Sequence, residues 1–187
     1  MAILHICVMA VMVLLGSPVW AVDISPSEEA IAEAIEHGKQ DASSSKAATS
    51  NTIGNQELLC QGFGFLQTKL WNIREASKAN EKKLRPTKRE ELNEYLASPS
   101  MLITFVYCAS SHRKSDDHIV IRQGEKIIQP ARVSTSIPEL LTRTSYAHTV
   151  QANFAYSDFD PVASATVIVI PEKAERREYR INLIEYR

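Results

Sequence analysis

The hydrophobic period of this chain changes at Pro99, and that change bounds the fold more tightly than any other feature. Ahead of it, apolar residues recur at helical spacing. Behind it stands "MLITFVYCA" (101–109), rich in branched and aromatic residues and apolar on both faces. A short run of that kind fits a central β-strand better than a helix. "HIVIRQGEKII" (118–128) reads as a hairpin, two β-branched runs with Gly124 in the turn. "TVQANFAYSDFDP" (149–161) sends Val150, Ala152, Phe154 and Tyr156 to one face, Gln151 and Asn153 to the other. "ATVIVIP" (165–171) is a further apolar strand, and "REYRINLIEYR" (177–187) sets Tyr179, Ile181 and Leu183 against Arg180 and Asn182. At least five strands without intervening helices favour an antiparallel sheet arrangement over βαβ units. The expected fold is α+β: mainly β with N-terminal helices, an antiparallel β-sandwich, loosely immunoglobulin-like, preceded by a tethered short helix.

Helical signals occupy the first half. In "SPSEEAIAEAIEHG" (25–38), Ser25 suits the cap, Pro26 the first turn and Glu28 a capping box, with Gly38 as the stop. Ala30, Ile31, Ala34 and Ile35 form one narrow apolar stripe, which must dock because so short a helix is unstable alone. "DASSSKAATSNTIGN" (41–55) is small and polar and reads as a mobile linker. "GFGFLQTKL" (62–70) predicts a strand passing into a helix over about residues 70–84. Pro86 ends that helix; Thr87 and Glu90 offer a capping box for the next, which turns Leu92, Tyr95 and Leu96 inward. The expected divisions are a leader over 1–21, an amphipathic helix over 22–39, a linker over 40–56 and a disulfide-braced helix and sandwich domain over 57–187.

The leader "MAILHICVMAVMVLLGSPVWA" contains no Lys, Arg, Asp or Glu. Its apolar block is too short for an ordinary span of about 20 residues, and Gly16, Pro18 and Val19-Trp20-Ala21 complete the layout of a cleaved secretory signal. The n-region departs from that layout in having no Lys or Arg. Export to the periplasm or outside is the expectation, with no stable membrane span after cleavage. Of three cysteines, Cys7 leaves with the leader, so Cys60 and Cys108 are expected to pair in an oxidising compartment. A formal net charge of −1 argues against a general nucleic-acid binder, which needs a basic face to displace counterions. The six cations Lys78, Lys82, Lys83, Arg85, Lys88 and Arg89 crowd one helix end. They read as a solvated terminus that suits the helix dipole, or as a surface for an anionic partner.

Candidate chemistry is sparse. "HRKSDDH" brings together His112, Asp116, Asp117 and His118, residue types that serve zinc or copper. Arg113 and Lys114 oppose a divalent cation there, and a polar strand-entry turn explains the same letters. Asp158 and Asp160 flank Phe159 in a turn that could offer oxygens to calcium, with Asp116 and Asp117 contributing from a neighbouring loop. Hydrolase signatures are absent from the text: no G-x-S-x-G, H-E-x-x-H or phosphate-binding glycine loop occurs. A triad assembled from distant segments would be invisible at this level. The expectation is a non-catalytic, cofactor-free module that binds a protein partner or itself. Contact would run through sandwich loops, an edge strand, or the Ile31 and Ile35 stripe. The alternative is an exported protein holding calcium, zinc or copper.

Overall fold

The computed structural model describes residues 25–44, 51–55, 59–160 and 163–183. The leader therefore lies outside the described residues, as do positions 45–50 and 56 of the expected linker. Among the described residues, three helices and two antiparallel sheets form an α+β arrangement. The helices are α1 (Glu28–Ser43), α2 (Lys69–Lys82) and α3 (Arg89–Ala97). The first strands are β1 (Thr52–Gly54), β2 (Phe63–Gln67), β3 (Ser100–Ala109), β4 (His118–Gln123) and β5 (Lys126–Ile128). They are followed by β6 (Arg132–Thr135), β7 (Glu139–Thr142), β8 (Ser145–Ala155), β9 (Ala165–Ile170) and β10 (Arg177–Ile181).

The six-stranded sheet runs β1-β2-β3-β8-β6, and the four-stranded sheet β10-β9-β4-β5. β3 is central, pairing with β2 on one side and along its whole length with β8 on the other. β6 and β7 both pair with β8, against Asn153 to Val150 and Ala147 to Ser145 respectively, so together they form the sheet's outer edge. Alternation supplies the core. Met101, Ile103, Phe105 and Tyr107 of β3 are fully buried, and one apolar cluster joins them to Ile119, Ile121, Val167, Val169 and Ile181 of the other sheet. Full burial of such side chains stabilises by roughly 1.5–3 kcal/mol each, before chain entropy opposes it. On one side the two sheets are laced together. The Tyr179 ring lies 5.2 Å from Phe105, and its hydroxyl reaches the carbonyls of Gln61 and Gly62 at 3.3 Å. Gly62 sits at φ +84°, where an added Cβ would meet Phe105 at 2.8 Å as well as the Arg177 guanidinium. The Cys60–Cys108 disulfide closes the same region, with Cα atoms 4.6 Å apart.

The helices carry a separate apolar cluster of Ile31, Leu70, Ile73 and Leu92. α1 crosses α2 closely at Gly38, where a Cβ would stand 2.7 Å from that of Ser77 and would collide with the Arg74 carbonyl. Arg74 Nε donates to Asp41 Oδ2 at 2.6 Å across the same pair and holds the Asp41 carboxyl below its ordinary range. Several local expectations are corrected here. The cap of α1 is Ser27, whose hydroxyl accepts from the Ala30 N–H at 3.1 Å, in place of Ser25. The helix continues through Gly38 to Ser43, so residues 40–43 are helix and not linker. Thr52–Gly54 is a strand because Ile53, 1% exposed, plugs the β core. Lys88 holds the cap position ahead of α3 without a side-chain hydrogen bond; the Thr87 hydroxyl accepts from Asn80 Nδ2 instead. The Ile31 stripe is occupied by its own chain, with Ile31 3% exposed against α2 and α3 and Ile35 half-buried beside it. The expected docking surface at Ile31 and Ile35 is thus an intramolecular seam. Among the described residues no helix is long and apolar enough to cross a membrane.

Candidate functional site

The loop between β3 and β4 is anchored by a buried polar network. Asp117, one position ahead of β4, shares parity with Ile119 and Ile121, and His148, within β8, shares it with Val150 and Ala152, so both point inward. Asp117, 1% exposed, accepts three hydrogen bonds. Oδ1 takes the Tyr107 hydroxyl at 2.8 Å and the Glu172 N–H at 3.1 Å, and Oδ2 takes the Ser115 hydroxyl at 2.7 Å. His148 lies with Nδ1 3.1 Å from Ser115 Oγ and Nε2 2.8 Å from the Ser111 carbonyl. Its ring stacks on Tyr107 at 5.1 Å. Burial pushes the Tyr107 phenol well above its ordinary value; the Ser115 bond pulls it down, while the Asp117 bond pushes it further up.

Counting protons shows how these groups are wired. The Ser111 carbonyl is only an acceptor, so Nε2 carries hydrogen. Ser115 has one proton, and it also lies between a carboxylate oxygen and Nδ1. The Ser115 proton goes to Asp117 Oδ2, the shorter of the two contacts, and its oxygen faces the His148 ring. The constellation has the residue types of a hydrolase triad in a different order. In a triad the imidazole bridges nucleophile and acid. Here serine is the bridge, and Ser115, Asp117 and His148 are 5%, 1% and 2% exposed. Such wiring braces a loop.

The metal-candidate residues are scattered. Asp116 and His118 point outward, their side chains 89% and 57% exposed, with His118 Nε2 3.7 Å from Asp116 Oδ2. Asp117 is turned inside and its oxygens are taken by protein donors. His112 is exposed, its ring 6.0 Å from that of Tyr146. Asp158 and Asp160 sit at the far end of β4, roughly 17 Å from His118 for a strand of that length. Their backbone is what engages there. Lys126 Nζ donates to the Asp158 carbonyl at 2.5 Å, Gln123 Nε2 to the Asp160 carbonyl at 3.0 Å, and the Asp160 N–H to Gln123 Oε1 at 3.0 Å. Asp116 and Asp117 are thus not neighbours of the Asp158 turn. Among the described residues no three His, Cys, Asp or Glu side chains converge as a metal-holding group.

Two surface features remain beside the braced loop. A cleft of about 440 Å³ is ringed by Lys114, Asp116, His118, Ser134, Thr135 and Glu172. Lys173, and then the Asp116 N–H, hold the Glu172 carboxyl below its ordinary range. Further along the β6–β7 edge, Ile137, Leu140 and Leu141 are 82%, 64% and 41% exposed, and all of β7 is exposed. The ladder between β7 and β8 is irregular between Leu140 and Thr142, and Pro138 precedes β7. The sequence reading missed this patch because "STSIPELLTRTS" lacks strand alternation; three large aliphatic residues inside a polar stretch were the available signal. No protein-family model matches the chain, and no curated protein matches it.

Proposed function

We propose that this chain is an exported, non-catalytic interaction module that meets a protein partner through the β6–β7 edge. One observation carries the reading: three large aliphatic side chains within five residues, Ile137 just before the outer strand β7 and Leu140 and Leu141 on it, stand 82%, 64% and 41% exposed. Apolar surface gathered in that way is what a partner covers. Pro138 and the irregular ladder make the edge a poor template for adding a strand, since they interrupt its row of backbone groups. The side chains therefore supply the contact, and the frame holds them in place. That frame is a face-to-face sandwich, immunoglobulin-like in the loose architectural sense, supported by the apolar cluster drawn from both sheets. The Cys60–Cys108 pair supports export, because disulfides persist in oxidising compartments. The serine-centred order of the buried network supports a role without catalysis.

A photocrosslinking residue placed at Ile137 in the native host tests the proposal. The expected result is one dominant crosslinked protein, lost when Leu140 and Leu141 are both changed to Asp while the circular dichroism and melting of the variant stay unchanged. A crosslink that survives the double substitution, or no crosslink at all, overturns it.

A further inference from the structure

We infer that the α2–α3 turn is a docking tip for an anionic lipid surface, a reading independent of the β6–β7 edge. α2 ends in a complete Schellman motif: the Leu84 N–H reaches the Glu81 carbonyl at 2.9 Å, and the Arg85 N–H reaches the Asn80 carbonyl at 3.1 Å. That motif places one residue in the left-handed region, a position where glycine is usual because it has no Cβ to clash. Leu84 occupies it at φ 55°, the one positive-φ residue other than glycine among the described residues. Its side chain returns nothing to the fold, being 92% exposed. Neither backbone conformation nor packing accounts for a leucine here, and a strained, solvent-facing residue points to a task outside the fold.

The surroundings identify that task. The side chains of Lys82, Lys83 and Lys88 are exposed and make no ion pair or hydrogen bond among the described residues. The other cations of the run are engaged. Lys78 pairs with Glu75 at 3.3 Å, Arg85 Nε donates to Asn80 Oδ1 at 2.7 Å, and Arg89 pairs with Glu28 at 2.6 Å. Glu81, in the last turn of α2, and Glu36 of α1 border the same groove as Lys82 and Leu84. An exposed aliphatic side chain flanked by uncommitted lysines matches a surface that is negative outside and apolar just beneath, which is a bilayer of anionic lipid. Nucleic acid also offers phosphates but has no use for an aliphatic anchor, and no aromatic side chain stands in the turn for base stacking.

Co-sedimentation of the full chain, as its host delivers it, with phosphatidylglycerol-containing and pure phosphatidylcholine vesicles provides the test. Binding is expected on the anionic vesicles alone and should weaken as salt shortens the screening length from about 10 Å toward 3 Å. Leu84→Gly fits the left-handed site better than leucine, so its melting temperature should hold or rise while vesicle binding falls about fivefold or more. Lys82→Glu with Lys83→Glu should lower binding by at least about fivefold per residue. Equal binding to both vesicle types would assign it to the apolar leader and overturn the inference. So would undiminished binding by the Leu84→Gly chain, or binding to heparin with none to vesicles.

Discussion

At Asp117 three donors converge on one buried carboxylate, and their arrangement says what the residue does. Alanine at this position leaves the Tyr107 hydroxyl, the Ser115 hydroxyl and the Glu172 N–H without their acceptor. Stranded buried donors cost about 1–3 kcal/mol each when they find no new partner, so Asp117→Ala should lower stability by about 3 kcal/mol or more in urea unfolding. Two phenols give a second test at this scale. Burial pushes Tyr156 up to about 12, against a bond from the Lys69 backbone N–H that works the other way, and Tyr107 is raised by burial too. Both folded values lie above the ordinary phenol value of about 10. The stability tied to these phenols is therefore complete below pH 10 and declines as pH rises through the folded values. Phenolate absorbance from this pair should consequently appear only above about pH 10, together with loss of near-ultraviolet circular dichroism. A single early transition with the fold intact would contradict their burial.

Among the elements, α1 is the one whose sequence and structure diverge most. Gly38 resembles a stop signal, yet it lies inside the helix and lets α1 approach the backbone of α2. Nothing local separates those two uses of glycine, because the difference lies in a neighbour some forty residues away. Gly38→Ala should force the helices apart and cost about 1–3 kcal/mol as an overpacked contact. Since the helical cluster is distinct from the β core, amide exchange should quicken across α1 and the adjoining face of α2 while β3 stays protected. Uniform quickening would show one cooperative unit instead. β1 was equally hidden: a lone Ile53 in a polar stretch has no period to read, and it becomes a strand only because the core has room for it. The long strands were legible for different reasons: β8 alternates in polarity, whereas β3 is a ten-residue run dense in branched and aromatic residues.

Across the whole molecule, the disulfide ties together the two ends of a segment that contains β2 and both later helices. A separation of 48 residues corresponds by chain entropy to about 4 kcal/mol. Replacing Cys60 and Cys108 together by serine should lower the unfolding free energy by about that amount in urea titrations. The native ladder between β2 and β3 should survive at low denaturant, because Phe63 still pairs with Val106 and five residues keep register. A change near zero would mean that this ladder already does the work of the bond. The lacing around Tyr179 makes one flank of the molecule closed, and the β6–β7 flank is the open one, where the exposed aliphatic patch and the cleft beside the braced loop lie.

What the residues determined on their own is the set of faces. Alternation in β8 and β10 dictates which side chains go inward, branched and aromatic runs mark β3, β4 and β9 as strands, and Cys60 and Cys108 point to each other. Asp117, one position ahead of β4, and His148, inside β8, share the parity of the buried residues after them, although the letters around Asp117 suggest a metal loop. Tertiary structure alone decided which faces meet: α1 against α2 at Gly38, Ser115 between Asp117 and His148, Leu84 and Leu140 left uncovered. Period is a property of neighbours in the chain, whereas contact, burial and hydrogen bonding between side chains belong to groups brought together only when distant segments pack.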